Sequence, residues 1–198
     1  MISDQEGMSL VRLARRAVET YLRDSRVVES TTEPVDEAGV FVTINYLTRN
    51  GEERLRGCIG FPLPYKTLPR SVVEAAIAAA TADPRFPPVD LAELASTIFE
   101  VSVLTTPVEL RAGPLGFKNA IRIGKDGLLL KWKHGSGLLL PQVPVEMHWD
   151  ADEFLVNLCY KAGAATDVLR DASSRLYTFQ AIVFKELEPG GEVARVQL

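Results

Sequence analysis

A chain of 198 residues is long enough for one sizeable core, or for one domain with two lobes. Apolar residues make up 46% and charged residues 24%, and no run approaches the ~18 apolar residues of a membrane-spanning helix, so the composition excludes a disordered chain and a helical membrane protein. The net charge of −4 and a pI near 5.3 supply no basic footprint, which disfavours general nucleic-acid binding.

The chain opens on a helix signal. Ser3 and Glu6 have the spacing of a capping box. Leu10, Val11, Ala14, Ala17, Val18, Tyr21 and Leu22 then form one apolar stripe. The stretch from Glu29 to Gly39 is polar and reads as a loop. "GVFVTINYLTRNGEERLRGCIGF" follows, two strand-like runs around Asn50-Gly51. That dipeptide favours a two-residue type I′ turn, because both central residues need positive φ. Such a turn sets Arg49 opposite Glu52, Tyr46 opposite Leu55, Ile44 opposite Gly57, Val42 opposite Ile59 and Val40 opposite Phe61. Asn45 then meets Arg56, Thr43 meets Cys58 and Phe41 meets Gly60 on the other face. Leu55 and Ile59 would serve the core, while Arg56 and Cys58 project together on the opposite side.

A second helix is expected from about Leu68 to Ala82, with Thr67 as its cap and Pro69 in its first turn. It stops at "DPRFPP", residues 83 to 88, where three prolines stiffen the loop. Asp90 caps a short helix through Ala95, and "TIFEVSVLT" has the β-branched content of a strand. "AIRIGKDGLLLKWK" reads as a hairpin about Lys125-Asp126, and "HGSG" as a further turn. In "WDADEFLVNLCYKAG", Asp150 and Glu153 fit a capping box and Gly163 a C-terminal cap. One long strand, "RLYTFQAIVFKEL", precedes a polar tail over residues 188–198. Strands fall in neighbouring pairs instead of alternating with helices. The expected class is therefore α+β with a largely antiparallel sheet flanked by helices.

Most short motifs fail on spacing. "GKDG" lacks the frame of a phosphate loop, and "HGSG" lacks that of a nucleophile elbow around Ser136. With only His134 and His148, and no ligand spacing, no metal site and no cofactor is assigned. Cys58 and Cys159 are too far apart to form a disulfide framework, and no signal-peptide pattern opens the chain, which points to a reduced cytoplasmic setting. Cys159 falls on the buried stripe of its helix and reads as a small hydrophobe. Cys58 leaves two readings open. With Arg56 beside it and Gly57 and Gly60 around it, it is either an accessible thiol with a depressed pKa or a small residue filling a tight gap. A reactive thiol would also need a base, which one of the two histidines would have to supply. Arg85 either grips an anion by a bidentate contact or pairs with Asp83.

"LRGCIG" at 55 to 60, "DPRFPP", "EVSVL" at 100 to 104, "IGKDGLLL" at 123 to 130, "GLLLPQV" at 137 to 143, "CYKAG" at 159 to 163 and "FQAIVFKE" at 179 to 186 resemble segments of the AMMECR family, in order and over nearly the whole chain. The resemblance implies one domain over residues 1–198 with a smaller second lobe and a cleft between the lobes. It carries over Arg56, Gly57, Cys58, Gly60, Asp83, Arg85 and Phe86 as candidate residues. Cys58 is the catalytic candidate, and the others are candidates for binding a small anionic ligand. The family's biochemical activity is not established. Its prokaryotic members are encoded beside or fused to Memo-type and radical SAM proteins, which are therefore the implied partners. The rival expectation is a non-catalytic adaptor.

Overall fold

The computed structural model describes residues 2–29, 38–64, 66–114 and 116–196. Its two compact units are Met1–Leu104 with Ile182–Gln197, and Thr105–Ala181. Most of the polar stretch expected as a loop after Glu29 lies outside the described residues.

The first unit begins with helix α1 (Asp4–Asp24), whose Ser3–Glu6 capping box forms as expected. Strands β1 (Gly39–Leu47) and β2 (Glu53–Phe61), helix α2 (Leu68–Thr81), a 3-10 turn at Leu91–Ser96 and strand β3 (Thr97–Leu104) follow. The second unit contains β4 (Val108–Glu109), α3 (Phe117–Ala120), β5 (Gly127–Trp132), β6 (Gly135–Leu139), α4 (Gln142–Glu146), α5 (Ala151–Lys161), a 3-10 turn at Thr166–Arg170 and β7 (Arg175–Phe179). Strands β8 (Ala181–Glu186) and β9 (Val193–Val196) return to the first unit's sheet. The two sheets run β2-β1-β3-β8-β9 and β4-β7-β5-β6. β1 is antiparallel to β2 and β3, β8 to β9, β7 to β4 and β5, and β5 to β6. The α+β expectation holds.

Apolar periodicity explains both cores. Leu10, Val11, Ala14, Ala17 and Val18 of α1 pack with Val72, Val73, Ala76 and Ala79 of α2 against Val40, Val42, Ile44, Phe99 and Val101. Each buried Val, Ile or Phe contributes about 1.5–3 kcal/mol. Phe154, Leu155, Leu158 and Cys159 of α5 cover Leu128, Leu130 and Leu176 in the second unit.

One buried charge pair crosses the first core. Arg15 Nε and Nη2 donate to Glu186 Oε1 and Oε2 at 2.6 and 2.7 Å. Its remaining donors reach the carbonyls of Leu94 and Thr97, and its guanidinium lies 4.8 Å from the Phe99 ring centre. Glu186 also accepts the N–H of Phe99 at 2.9 Å, so charge and hydrogen-bonding capacity are matched together.

Several elements differ from expectation. The β1–β2 loop has three residues, not two. Gly51 N–H donates to Thr48 O, Thr48 N–H donates to Glu52 O, and Gly51 takes φ +81°. This is a type I turn closed by a left-handed glycine. It displaces the register by one residue near the turn, pairing Asn45 with Leu55 and Tyr46 with Arg54. A bulge next to Ile44 and Asn45 then takes up Arg56 as the extra residue and restores the expected pairs from Ile44–Gly57 to Val40–Phe61. Leu55 consequently leaves the core face and is 43% exposed. Thr67 precedes α2 without capping it through its side chain.

"AIRI" is not a strand, because Asp126 holds the N–H and guanidinium of Arg122 in a compact turn. The β5–β6 turn is Lys133-His134, and Gly135 already pairs with Trp132. The long final strand is two strands in two sheets. It breaks at Gln180, whose N–H goes to Thr105 Oγ1 and whose carbonyl accepts the Thr105 N–H. The expected polar tail turns back at Gly190 (φ +69°), and β9 pairs with β8 with Val193 buried.

Candidate functional site

Strand β2 is an edge of its sheet, so one row of its backbone groups lacks a strand partner. At Cys58 the "DPRFPP" loop takes the place of that partner. Asp83 Oδ2 accepts the Cys58 N–H at 2.9 Å, and Arg85 Nη2 donates to the Cys58 carbonyl at 3.4 Å. Both free backbone groups of one edge residue are met by an Asp and an Arg two positions apart.

Asp83 is the centre of this arrangement. Oδ1 accepts the Arg85 N–H at 3.1 Å and Nε at 2.9 Å, and Oδ2 accepts Arg85 Nη2 at 2.6 Å. Its side chain is only 2% exposed. The Arg85 hydrogen bonds hold its carboxyl far below the ordinary carboxylate range, helped by the Cys58 and Arg85 backbone N–H groups and opposed by burial. The Asp83 carbonyl accepts the Phe86 N–H, which tightens the loop, and Arg85 Cζ lies 5.5 Å from the half-buried Phe86 ring. The arginine side chain remains 47% exposed.

Arg56 joins the same loop farther along. Having left the ladder at the bulge, it donates from Nη1 to Pro87 O at 2.8 Å and from Nη2 to Pro88 O at 3.2 Å. Its Nε and Nη2 bind Glu93 at 3.3 and 2.9 Å. Burial is the strongest influence on Glu93 and pushes its carboxyl up. The Arg56 side chain and the Asp90 N–H outweigh it, so the carboxyl sits below its usual range. Glu93 thereby closes the Asp90 capping box and anchors Arg56 together.

Cys58 does not fit the picture of an activated thiol. Burial raises its pKa above the ordinary thiol value. The Thr43 hydroxyl, donating to Sγ at 3.3 Å, and the Arg85 charge pull the other way, while Glu100 and Asp83 add to the rise. Of the two readings of Cys58, the small residue in a tight gap agrees better with this geometry: the neighbouring cation is Arg85, already matched by Asp83, and not Arg56. Register explains Glu100, since Thr43 pairs with Cys58 on one side and Glu100 on the other. Both histidines belong to the unit that lacks Cys58. Among the described residues no three His, Cys, Asp or Glu side chains cluster as metal ligands.

The glycines have packing roles. A Cβ on Gly57 would run into the Ala79 carbonyl of α2, and one on Gly60 into the Val40 carbonyl and Phe41. Cys159 is fully buried and pushed up to about 11 by burial, in line with a hydrophobic role. The structure thus brings together Arg56, Cys58, Asp83, Arg85 and Phe86, with Gly57 and Gly60 admitting the backbones behind them. Sequence reasoning missed Glu93 and Glu100. Asp90-x-x-Glu93 is a legible capping box, whereas the position of Glu100 depends on the β1–β3 register, which no local turn announces.

The geometry defines a class: an α+β protein of two compact units, in which an edge-strand cysteine motif is bonded to a proline-stiffened Asp-x-Arg loop. The AMMECR1 family model matches residues 11–184, across both units, and the chain belongs to that family. A protein of Thermococcus kodakarensis is 49% identical over 201 aligned residues, covering 100% of this chain and 98% of that protein. One from Methanocaldococcus jannaschii is 43% identical at the same coverage. The crystal structure of an uncharacterised protein from Pyrococcus horikoshii matches with a TM-score of 0.94 at 44% identity, covering 100% of this chain and 99% of that one. No helix among the described residues is long and apolar enough to cross a membrane.

Proposed function

We propose that this chain is a binding protein and not a thiol catalyst, and that the Cys58–Asp83–Arg85 clamp is its recognition platform for an anionic group on a partner protein. The observation that carries this is the state of Arg85. Nε and Nη2 are spent on Asp83 and the Cys58 carbonyl, which fixes the plane of the guanidinium. Among the described residues Nη1 has no hydrogen-bond partner, and nearly half of the side chain faces solvent. A guanidinium held in one orientation over an aromatic ring loses little entropy when it meets a carboxylate or phosphate. Arg56, by contrast, spends its donors inside the protein and serves as a strut. Gly57, Gly60 and Phe86 keep the platform close-packed. The catalytic version of Cys58 is disfavoured by its raised pKa and acidic neighbours.

The family resemblance supplies the partners to test, a Memo-type protein and a radical SAM protein. Purified candidates from the same organism are passed over the immobilised chain. Retention that survives Cys58→Ser and is lost in Arg85→Glu supports the proposal. Retention unaffected by Arg85→Glu contradicts it, as does a chemical activity of the mixture that vanishes with Cys58→Ser.

A further inference from the structure

The second unit carries a cationic feature that the clamp does not use. Register places Ser136 of β6, Lys131 of β5 and Arg175 of β7 in one row across three neighbouring strands. All three are exposed. Adjacent strands lie about 4.8 Å apart, so the row spans roughly 10 Å. Lys131 and Arg175 are like charges directly opposite each other, an arrangement that costs stability in an antiparallel pair. Nothing neutralises Lys131 among the described residues. Its Nζ lies 5.6 Å from the centre of the Tyr177 ring.

Arg175 is fixed. Its Nη1 donates to the carbonyls of Ala172 and Ser174 at 2.6 and 2.9 Å, and its Nε lies 3.3 Å from Glu109. Nη2 has no partner. The charge of Glu109 is shared with Arg111, 3.9 Å away, so it does not offset the whole row. The neighbouring row on the same face is Leu138, Leu129 and Tyr177, with Leu138 and Tyr177 half-buried. A hydroxyl, an exposed ammonium and a pinned guanidinium therefore stand beside an apolar and aromatic strip.

We infer that this row is a binding site for the phosphate of a small phosphorylated ligand, whose remainder lies over Leu138 and Tyr177. A phosphate has oxygens enough to bridge both cations and the hydroxyl, whereas a carboxylate satisfies one fork. Ligand charge would offset the Lys131–Arg175 repulsion, and that gives the sequence a reason to retain it.

The test is a titration of the isotope-labelled full chain with inorganic pyrophosphate at constant ionic strength, with acetate as control, read by amide chemical shifts. Saturable shifts at Lys131, Ser136 and Arg175 are expected from pyrophosphate and not from acetate. Lys131→Gln should weaken binding about tenfold or more, equivalent to the loss of one charge-assisted contact. It should also melt no lower than the parent, since a like-charge pair is removed. Arg85→Gln should leave these shifts unchanged, which separates this site from the clamp. Shifts that do not saturate, that follow acetate equally, that persist in Lys131→Gln or that vanish in Arg85→Gln would overturn the inference.

Discussion

Arg15 and Arg85 each grip a buried carboxylate through two donors, yet they end in opposite states. The Arg15 side chain is 11% exposed and its Nε, Nη1 and Nη2 all have protein partners. Arg85 is 47% exposed and, among the described residues, keeps one nitrogen unpaired. Their positions account for the difference. Arg15 points from α1 into the junction of β3 and β8, where water cannot complete its bonding, so the fold had to do so. Arg85 sits on a loop that borders an edge strand, where the fold needed only its inner half. A sealed network fixes a structure, whereas a half-sealed one fixes a structure and leaves an oriented charge facing outward.

The largest expected effect lies in the sealed network. Arg15→Ala strands the Glu186 carboxylate in the core, and breaking a buried pair from one side costs about 3–5 kcal/mol. Urea unfolding measures it, and a loss near zero would remove the contrast. Asp83→Ala comes next. It leaves the Cys58 N–H without its acceptor and Arg85 without its anchor, for about 2–3 kcal/mol.

The pH dependence sharpens that number. Asp83 is held below its unfolded value by Arg85, so its stabilisation is fully present above an unfolded pKa near ~4 and fades as pH falls through the folded one. The stability gap between parent and Asp83→Asn should be widest at neutral pH and narrow below pH ~4. Gly57→Ala drives a methyl toward the Ala79 carbonyl and should cost about 1–3 kcal/mol, with β2 displaced from α2. Arg85→Gln should cost about 1–2 kcal/mol, less than Arg15→Ala, because it removes the counter-charge of the buried Asp83 carboxylate while the Cys58 and residue-85 N–H groups still bond it and the outer half of the arginine is solvated. Large destabilisation there would mean that Arg85 belongs with Arg15 after all.

Much of this arrangement was legible in the sequence. The hairpin's far end, from Ile44–Gly57 to Val40–Phe61, follows from apolar alternation, which tolerates no slip where one face is buried. The facing of Thr43 and Cys58 follows from it, whereas the spacing of Asp83 and Arg85 leaves pairing and anion grip open until the structure shows the pairing. The near end was misplaced because Asn-Gly also closes three-residue turns, and the bulge that compensates has no signature of its own. "RLYTFQAIVFKEL" alternates without a break, so nothing local tells that Gln180 hands the chain from one sheet to another. β9 has no local signature, because four residues after a Pro-Gly-Gly turn carry little pattern. The thiol's state stays open in the sequence for a different reason. Spacing shows Arg56 near Cys58, while the burial that raises the pKa depends on tertiary neighbours.

The central claim is that the "LRGCIG" segment is a structural clamp presenting Arg85, not a thiolate centre. It is tested most directly by the pH dependence of Cys58 alkylation in the native protein, resolved from Cys159 by peptide mass spectrometry. An inflection above the ordinary thiol value, near ~8.5, is predicted, with slow labelling at neutral pH. Fast labelling with an inflection below pH ~7 would contradict the account and return Cys58 to the role of nucleophile.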